Sequence, residues 1–294
     1  MTDSVTWARL PFDDEGELVS LAARCLAVDG GLPLAADPAF LRRRWRAPGI
    51  PTIQGRDHGG RLVAAGAARP TTATGGVTFC GLVDPGVRAR GVGSHLLTWG
   101  LAQAVRQEQP VTVETESLTA GAEVLFAARG LRQVFAEDVM RIDLTAGVPD
   151  PVWPAGTRLA AWSASDAVRF HGVYAAAFRE RPGFPGWTAA EWIAEATDDE
   201  FRPRWSVLAT LPDLGDAGFV TAALGWIVQV GVVPAARGRG IGGALVLEAL
   251  RRMRADGANH AWLDVNVDNP AVRLYRRLGF VRRGRRARYR FPDP

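Results

Sequence analysis

Lysine is missing from this chain altogether: all 35 basic residues are arginine. That absence excludes a Walker-type phosphate loop, which needs a lysine. It also lifts the isoelectric point to about 9.8 although the formal net charge is only +4. Cysteine is nearly as scarce. Cys25 and Cys80 are too few for a disulfide framework and suit a reducing compartment. Cys80, inside the apolar run Val77 to Val83, reads as a small buried hydrophobe rather than a nucleophile. His58, His95, His171 and His260 lack the spacing of zinc ligands, so no metal is expected. No run approaches about 18 uninterrupted apolar residues, and Met1-Thr2-Asp3-Ser4 carries no leader pattern. A cytoplasmic protein without a membrane partner is the expectation.

What is present points to an ordinary globular chain. Its 294 residues are 47% hydrophobic and 22% charged, enough for two medium domains. Ten tryptophans promise cores or pockets walled by large rings. The mild positive balance suits an anionic ligand such as a nucleotide without demanding nucleic acid.

The chain repeats itself. Pro85-Gly86-Val87-Arg88-Ala89-Arg90-Gly91-Val92-Gly93 is echoed 149 positions later by Pro234-Ala235-Ala236-Arg237-Gly238-Arg239-Gly240-Ile241-Gly242. Ala122 to Leu131 is echoed by Ala271 to Phe280 at the same offset of 149. One constant offset in two separated places marks a tandem duplication. The Pro/Gly-rich stretch Thr145 to Pro154 is the expected seam, which predicts domains at 1–147 and 155–294. Each half reads helix, strands, Gly-rich turn, helix, strand, helix, strand. In the second half, Ala222 to Val233 is a long apolar strand candidate. Ile241, Leu245, Ala249 and Met253 stripe a helix from Ile241 to Ala255 that Gly257 stops. His260 to Val267 and Ala287 to Phe291 read as further strands. Between them Asp268 or Asn269 can cap a helix that opens near Pro270 and ends at Gly279.

A Gly-rich turn between a strand and a helix aims unpaired amides and the positive end of a helix dipole at one spot, which suits an anion. Its spacing is not that of a dinucleotide-binding loop, and a tight connection with no ligand stays open on this turn alone. Arg237-Gly238-Arg239-Gly240-Ile241-Gly242 resembles the [Q/R]-x-x-G-x-[G/A] signature of the GNAT superfamily of N-acetyltransferases. Leu263 to Phe280 resembles that family's second signature, except that Ala271 follows Asn269 after one residue rather than two. The tandem arrangement is similar to that of mycothiol synthases.

The resemblance implies an α/β (α+β) fold of two tandem GNAT-like domains, each a mixed, mostly antiparallel sheet flanked by helices. It implies acetyl-coenzyme A as cosubstrate in a gap where the strand before the turn splays from its neighbour. Val230, Gly231 and Val232 would hold pantetheine; Arg237, Gly238, Arg239, Gly240, Ile241, Gly242 and Gly243 would take the pyrophosphate; Asn269 would flank the arm. Tyr275 resembles the general acid that protonates the leaving thiolate. Packing alone would also explain a buried tyrosine. In the first half Arg88, Arg90, Gly91 and Gly93 keep the turn, while Phe126 and Ala120 stand where Tyr275 and Asn269 stand in the second. The first lobe is therefore expected to bind coenzyme A at most, without transferring acetyl.

The strand before the second turn has no carboxylate. Gln229 can position a water, and Asp264 and Asn266 are the nearest polar groups, so the base is unassigned. The loop Arg181 to Trp187 precedes a helix capped by Thr188. By the resemblance this region covers the acceptor, so Phe184, Trp187, Trp192, Trp226 and Gln229 are the candidate lining. Packing under a rigid loop explains the rings equally well, and Glu180, Glu191 and Glu195 could meet a cationic amine. The arginines between Arg282 and Arg290 read as a solvated edge strand rather than a nucleic-acid patch. The expected activity is acetylation of a primary amine on a small molecule by a monomer or homodimer. The alternatives are a catalytically silent acyl-coenzyme A sensor and a protein or peptide N-acetyltransferase.

Overall fold

The computed structural model describes residues 5–10, 15–45, 49–71, 76–105, 109–181 and 183–291. Met1 to Ser4, and Pro182 in the expected acceptor loop, lie outside them. In chain order the elements are β1 (Thr6–Ala8), α1 (Glu15–Asp29), α2 (Pro38–Trp45), β2 (Thr52–Arg56), β3 (Leu62–Thr71), β4 (Gly76–Val83), α3 (Val92–Val105), β5 (Val111–Thr115), α4 (Ala120–Ala128) and β6 (Arg132–Asp143). Then follow β7 (Arg158–Ala161), α5 (Ala167–Phe178), α6 (Ala189–Ala196), β8 (Val207–Leu211), β9 (Gly215–Ala223), β10 (Trp226–Val232), α7 (Ile241–Ala255), β11 (His260–Asn266), α8 (Val272–Arg277) and β12 (Val281–Arg290).

These elements form two compact units, residues 1–139 with 282–294 and residues 140–281. The expected division at 147 to 155 is corrected in two ways. The first boundary falls inside the continuous strand β6, and the last strand of the chain belongs to the first unit. There β12 pairs antiparallel with β5, from Ala287 opposite Thr115 to Arg290 opposite Thr112. Buried Ala287 and Tyr289 give it a core-facing side. It is no edge strand, because β6 lies on its other side. The repeat marks which segments are equivalent; strand pairing decides which unit each one completes.

In the first unit the sheet order is β1-β2-β3-β4-β5-β12-β6. Leu18, Leu21, Ala22 and Cys25 recur at helical spacing on α1 and are all buried. With Leu41 and Trp45 of α2 they cover Leu62, Ala65 and Ala67 of β3.

The second unit carries the order β11-β10-β9-β8-β7. The single strand expected from Ala222 to Val233 is a hairpin instead. β9 and β10 pair antiparallel from Ala223–Trp226 to Gly218–Val232. Gly225, at φ 75°, supplies the left-handed residue between them. An apolar run does not record where it doubles back, and here only the glycine marks the place. One face of this sheet is sealed by Ile241, Leu245, Ala249 and Met253 of α7, all buried as the stripe predicts. The other face carries Phe170, Tyr174 and Trp192 of α5 and α6 against Leu208 and Phe219. α6 opens with a capping box, Thr188 accepting from the Glu191 amide and Glu191 accepting from the Thr188 amide.

Candidate active site

The strands around the second Gly-rich turn part early. β10 and β11 run parallel and are paired only at Trp226 and Trp262. From there Val228 to Val232 make no ladder with β11, so one edge of β10 is open where the turn begins. In the turn, Gly238 and Gly240 sit at φ 78° and 83°, a region that favours glycine. The first bond inside α7 runs from the Ala244 amide to the Gly240 carbonyl. The amides of Ile241, Gly242 and Gly243 therefore have no partner within the helix. A Cβ at Gly238 or Gly240 would meet nothing within 4 Å. Open space, free amides and a helix dipole in one place fit a pyrophosphate. A cavity of about 560 Å³ borders this helix start at Arg239, Gly240 and Gly243.

The Arg237 side chain is not part of that cradle. Its Nε donates to the Val232 carbonyl at 3.4 Å and its Nη2 to the Ala177 carbonyl at 3.1 Å, tying the end of β10 to the end of α5. Arg239 pairs with Asp213 at 2.8 Å. What the turn presents to an anion is main chain.

Tyr275 is carried on α8 and is 9% exposed, its ring edge-on to Phe280 at 5.9 Å between centroids. It is thus both a packed ring and a phenol. Burial raises its pKa, and the Arg181 guanidinium acts against that rise. Asn269 spends its Oδ1 on the Ala271 amide at 3.0 Å, which shapes the turn into α8. That helix is only Val272–Arg277, shorter than expected.

The candidate acceptor residues separate. Trp192 is 1% exposed and belongs to the aromatic core. It is a supporting ring, not a lining one, because Tyr174 stacks on it at 5.1 Å and Phe219 meets it edge-on. Its Nε1 donates to Gln229 Oε1 at 3.2 Å. Phe184 is half-buried, 5.5 Å from the Tyr174 ring. Trp187 stays 37% exposed, and His171 Nε2 bonds its carbonyl at 2.9 Å, pinning the loop to α5. Trp226 stacks on Trp262 at 6.0 Å. Glu191 is consumed by its capping box, and Glu180 lies 3.7 Å from Arg237. Beyond these, Arg181 lies over the Phe178 ring at 4.3 Å. The sequence offered no signal for it beyond its place in the loop.

The first unit repeats the turn with a difference. Ala89 stands at the Gly238 position and is held at φ 59°, beside Gly91 at 83°. Arg88 repeats the Arg237 contact, Nε to the Val83 carbonyl at 3.0 Å, and adds two bonds to Asp29 at 2.7 and 2.6 Å. β4 and β5 pair from Val77–Val111 to Cys80–Glu114 and then part. A cavity of about 680 Å³ opens there, reaching from Ala89 and Gly91 past Val83 and Ser117 to Cys80. Phe126 is buried against Tyr289, 4.8 Å between rings, and the Tyr289 hydroxyl donates to Gln133. Burial, reinforced by Glu114, pushes the Cys80 thiol up to about 12, which fits a packing role.

The C-terminal arginines are engaged within this unit. Arg285 meets Asp138 at 2.8 Å, while Arg286 meets Glu116 and Arg288 meets Glu114, each at 3.0 Å.

Residues 201–280 match the Acetyltransferase (GNAT) family. The chain is 32% identical over 271 residues to a mycothiol acetyltransferase of Clavibacter michiganensis subsp. michiganensis, covering 90% of this chain and 87% of that protein. It is 34% identical over 291 residues to one of Kineococcus radiotolerans, covering 93% and 91%. Among solved structures, a GCN5-related N-acetyltransferase from Sphaerobacter thermophilus shares the fold with a TM-score of 0.78 at 24% identity, covering 97% of this chain and 95% of that one. A tandem GNAT protein from the clavulanic acid biosynthesis pathway does so with a TM-score of 0.65 at 19% identity, covering 99% and 100%. With the turn, the parted strands and the repeat on the same chain, these matches establish that the protein belongs to the GNAT family of acetyltransferases and is a tandem N-acetyltransferase.

Proposed function

We propose that the second unit transfers acetyl from acetyl-coenzyme A directly to a primary amine of a small molecule, with Tyr275 as the general acid. The observation that carries this reading is the parting of β10 from β11, with free turn amides at the α7 start and a buried phenol on α8. Acetyl-coenzyme A supplies the activated acyl group and a thiol leaving group. Amides of Ile241, Gly242 and Gly243 take the pyrophosphate, and the open edge of β10 at Val230 to Val232 takes the pantetheine amides. The same edge can donate to the acetyl carbonyl as the amine adds to it. Tyr275 gives its proton to the departing sulfur. Its raised pKa keeps it neutral, and so able to donate, through the physiological range.

β10 carries no carboxylate, so the amine arrives unprotonated or loses its proton to water held by Gln229. The first unit keeps the turn and a cavity beside it but has Phe126 in place of the phenol. In this reading it binds coenzyme A without turnover. The relatives' name favours assembly of mycothiol as the setting of the reaction.

An acetyl-coenzyme A assay across a panel of amines, read by the mass of the acetylated product, tests the reading. Tyr275→Phe should lower kcat by about 10²–10⁴-fold, the usual worth of a positioned acid, while acetyl-coenzyme A still binds. Full activity in that variant refutes the acid. No product from any amine favours a silent acyl-coenzyme A sensor instead.

A further inference from the structure

The two units fill the space between their first helices and their sheets differently. In the second unit that space holds rings. Tyr174 lies 5.3 Å from Phe178 and 5.5 Å from Phe184 between centroids, and Phe219 meets Phe170 and Phe178 at 6.2 and 6.3 Å. They crowd β10 so closely that a Cβ at Gly231 would come within 2.5 Å of Phe219 Cε1 and 2.9 Å of Phe178 Cε2.

The repeat shows which of these rings the first unit lacks. α1 ends at Asp29 and α5 at Phe178, again 149 positions apart, so Leu21, Cys25 and Asp29 stand where α5 has Phe170, Tyr174 and Phe178. Leu82 stands at the Gly231 position, and its antiparallel partner is Ala65, whereas the partner of Gly231 is Phe219. Four rings have given way to a leucine, a cysteine, an aspartate and an alanine, and on the strand only Leu82 adds volume back. The space they leave is the inner part of the first unit's cavity. That cavity of about 680 Å³ runs from Gly91 at the turn, past Val83 and Ser117 where β4 and β5 part, to Cys25, Leu41 and Trp45 on α1 and α2. The charged groups on its wall are already paired, Asp29 with Arg88 at 2.6 Å and Arg44 with Glu114 at 2.9 Å and Glu116 at 2.6 Å. Burial raises the pKa of the Cys25 and Cys80 thiols, so both line the cavity as small apolar groups and not as nucleophiles. Apolar cavities stay dry and take apolar ligands.

We propose that the first unit takes a coenzyme A thioester whose acyl chain is longer than acetyl, the chain lying in the space that rings occupy in the second unit. The inference rests on the first unit as a coenzyme A site. There the first bond inside α3 runs from the His95 amide to the Gly91 carbonyl, so the amides of Val92, Gly93 and Ser94 have no partner within the helix and are left for phosphate. The gap between β4 and β5 closes at the Cys80–Glu114 pair. An arm entering from the turn therefore cannot continue along the sheet and is directed toward α1 and α2, with the vacated space ahead of its thioester. An acetyl group would leave most of that space unfilled and its walls without contacts. A chain of several carbons fills it. With Phe126 in place of the phenol, the thioester is held without a chemical step.

The test is a calorimetric titration of the full-length protein with acetyl-coenzyme A, hexanoyl-coenzyme A and free hexanoate. Each methylene withdrawn from water is worth about fourfold in affinity. Hexanoyl-coenzyme A should therefore bind the first unit at least about tenfold tighter than acetyl-coenzyme A, even with its chain only half covered. Hydrogen exchange assigns the site: hexanoyl-coenzyme A should slow exchange in residues 15–45, which carry α1 and α2, more than acetyl-coenzyme A does. Cys25→Phe, which returns a ring to the position of Tyr174, should bring the two affinities together while acetyl-coenzyme A still binds. If that variant fails to fold, exchange in the parent protein decides by itself. Equal affinity of the first unit for the two thioesters overturns the proposal, and so does protection by hexanoyl-coenzyme A confined to residues 167–196 of the second unit. Free hexanoate binding as tightly as its thioester also overturns it, because the turn would then contribute nothing. A single site per chain, with exchange across residues 85–97 unchanged by either thioester, refutes instead the underlying reading of the first unit as a coenzyme A site, so the two failures are distinguishable.

Discussion

Replacing Ala89 with glycine should stabilise the first unit. Ala89 is the only described non-glycine residue with positive φ, at 59°, and it stands where the second unit has Gly238 at 78°. The left-handed region costs an L-residue about 1–2 kcal/mol. Glycine would remove that strain but add freedom to the unfolded chain, worth about 0.5–1 kcal/mol in the opposite direction. Ala89 is exposed, so no packing is lost with its methyl. The net gain is about 0.5–1 kcal/mol, a rise of roughly 1–4 °C in the melting of a unit of this size. Gly238→Ala should cost a similar amount, since open space around Gly238 leaves strain as the only penalty. Calorimetry of both variants, with hydrogen exchange at residues 85–97 and 234–246 to assign each transition, reads the effect. A lowered transition for Ala89→Gly, or a raised one for Gly238→Ala, refutes the argument that the two turns share one backbone geometry for a conformational reason. On the proposed function, Gly238→Ala should also weaken acetyl-coenzyme A binding beyond its thermal cost.

Three further outcomes follow from the packing. Burial drives the Glu114 carboxyl up, but Arg44, Arg288 and Arg69 outweigh it and hold the pKa below the ordinary carboxylate range. A depressed pKa contributes stability that is present above about pH 4.3 and is lost as pH falls toward the folded value. Glu114→Gln should cost about 1–3 kcal/mol at neutral pH by removing the charged partner of the part-exposed Arg44, Arg69 and Arg288, and should flatten the acid limb of a stability-versus-pH curve. Gly231→Ala would put a Cβ 2.5 Å from Phe219 Cε1 and 3.1 Å from Ala177 Cβ. Overpacking of this kind costs about 1–3 kcal/mol, and by shifting Phe178 it should lower kcat/KM more than the melting temperature suggests. Trp192→Ala should destabilise the second unit by about 3–5 kcal/mol; a near-normal melt with an altered acceptor preference would return that ring to the acceptor lining.

The sequence by itself determined the repeat, the Gly-rich turns, the α7 stripe, the Thr188 cap and the loss of the phenol from the first half. Each of these is local: a period, a cap or a short motif that can be read without knowing what packs on it. Tertiary structure alone decided where β12 pairs, because an alternating arginine strand reads the same at an edge as beside Glu114 and Glu116. It decided that the Ala222 to Val233 run folds back at Gly225, and that Trp192 is buried in the aromatic core. It also brought Arg181 from its loop onto the Phe178 ring. No spacing encodes that contact, since it depends on the turn that ties Arg181 to Phe178 and Phe184.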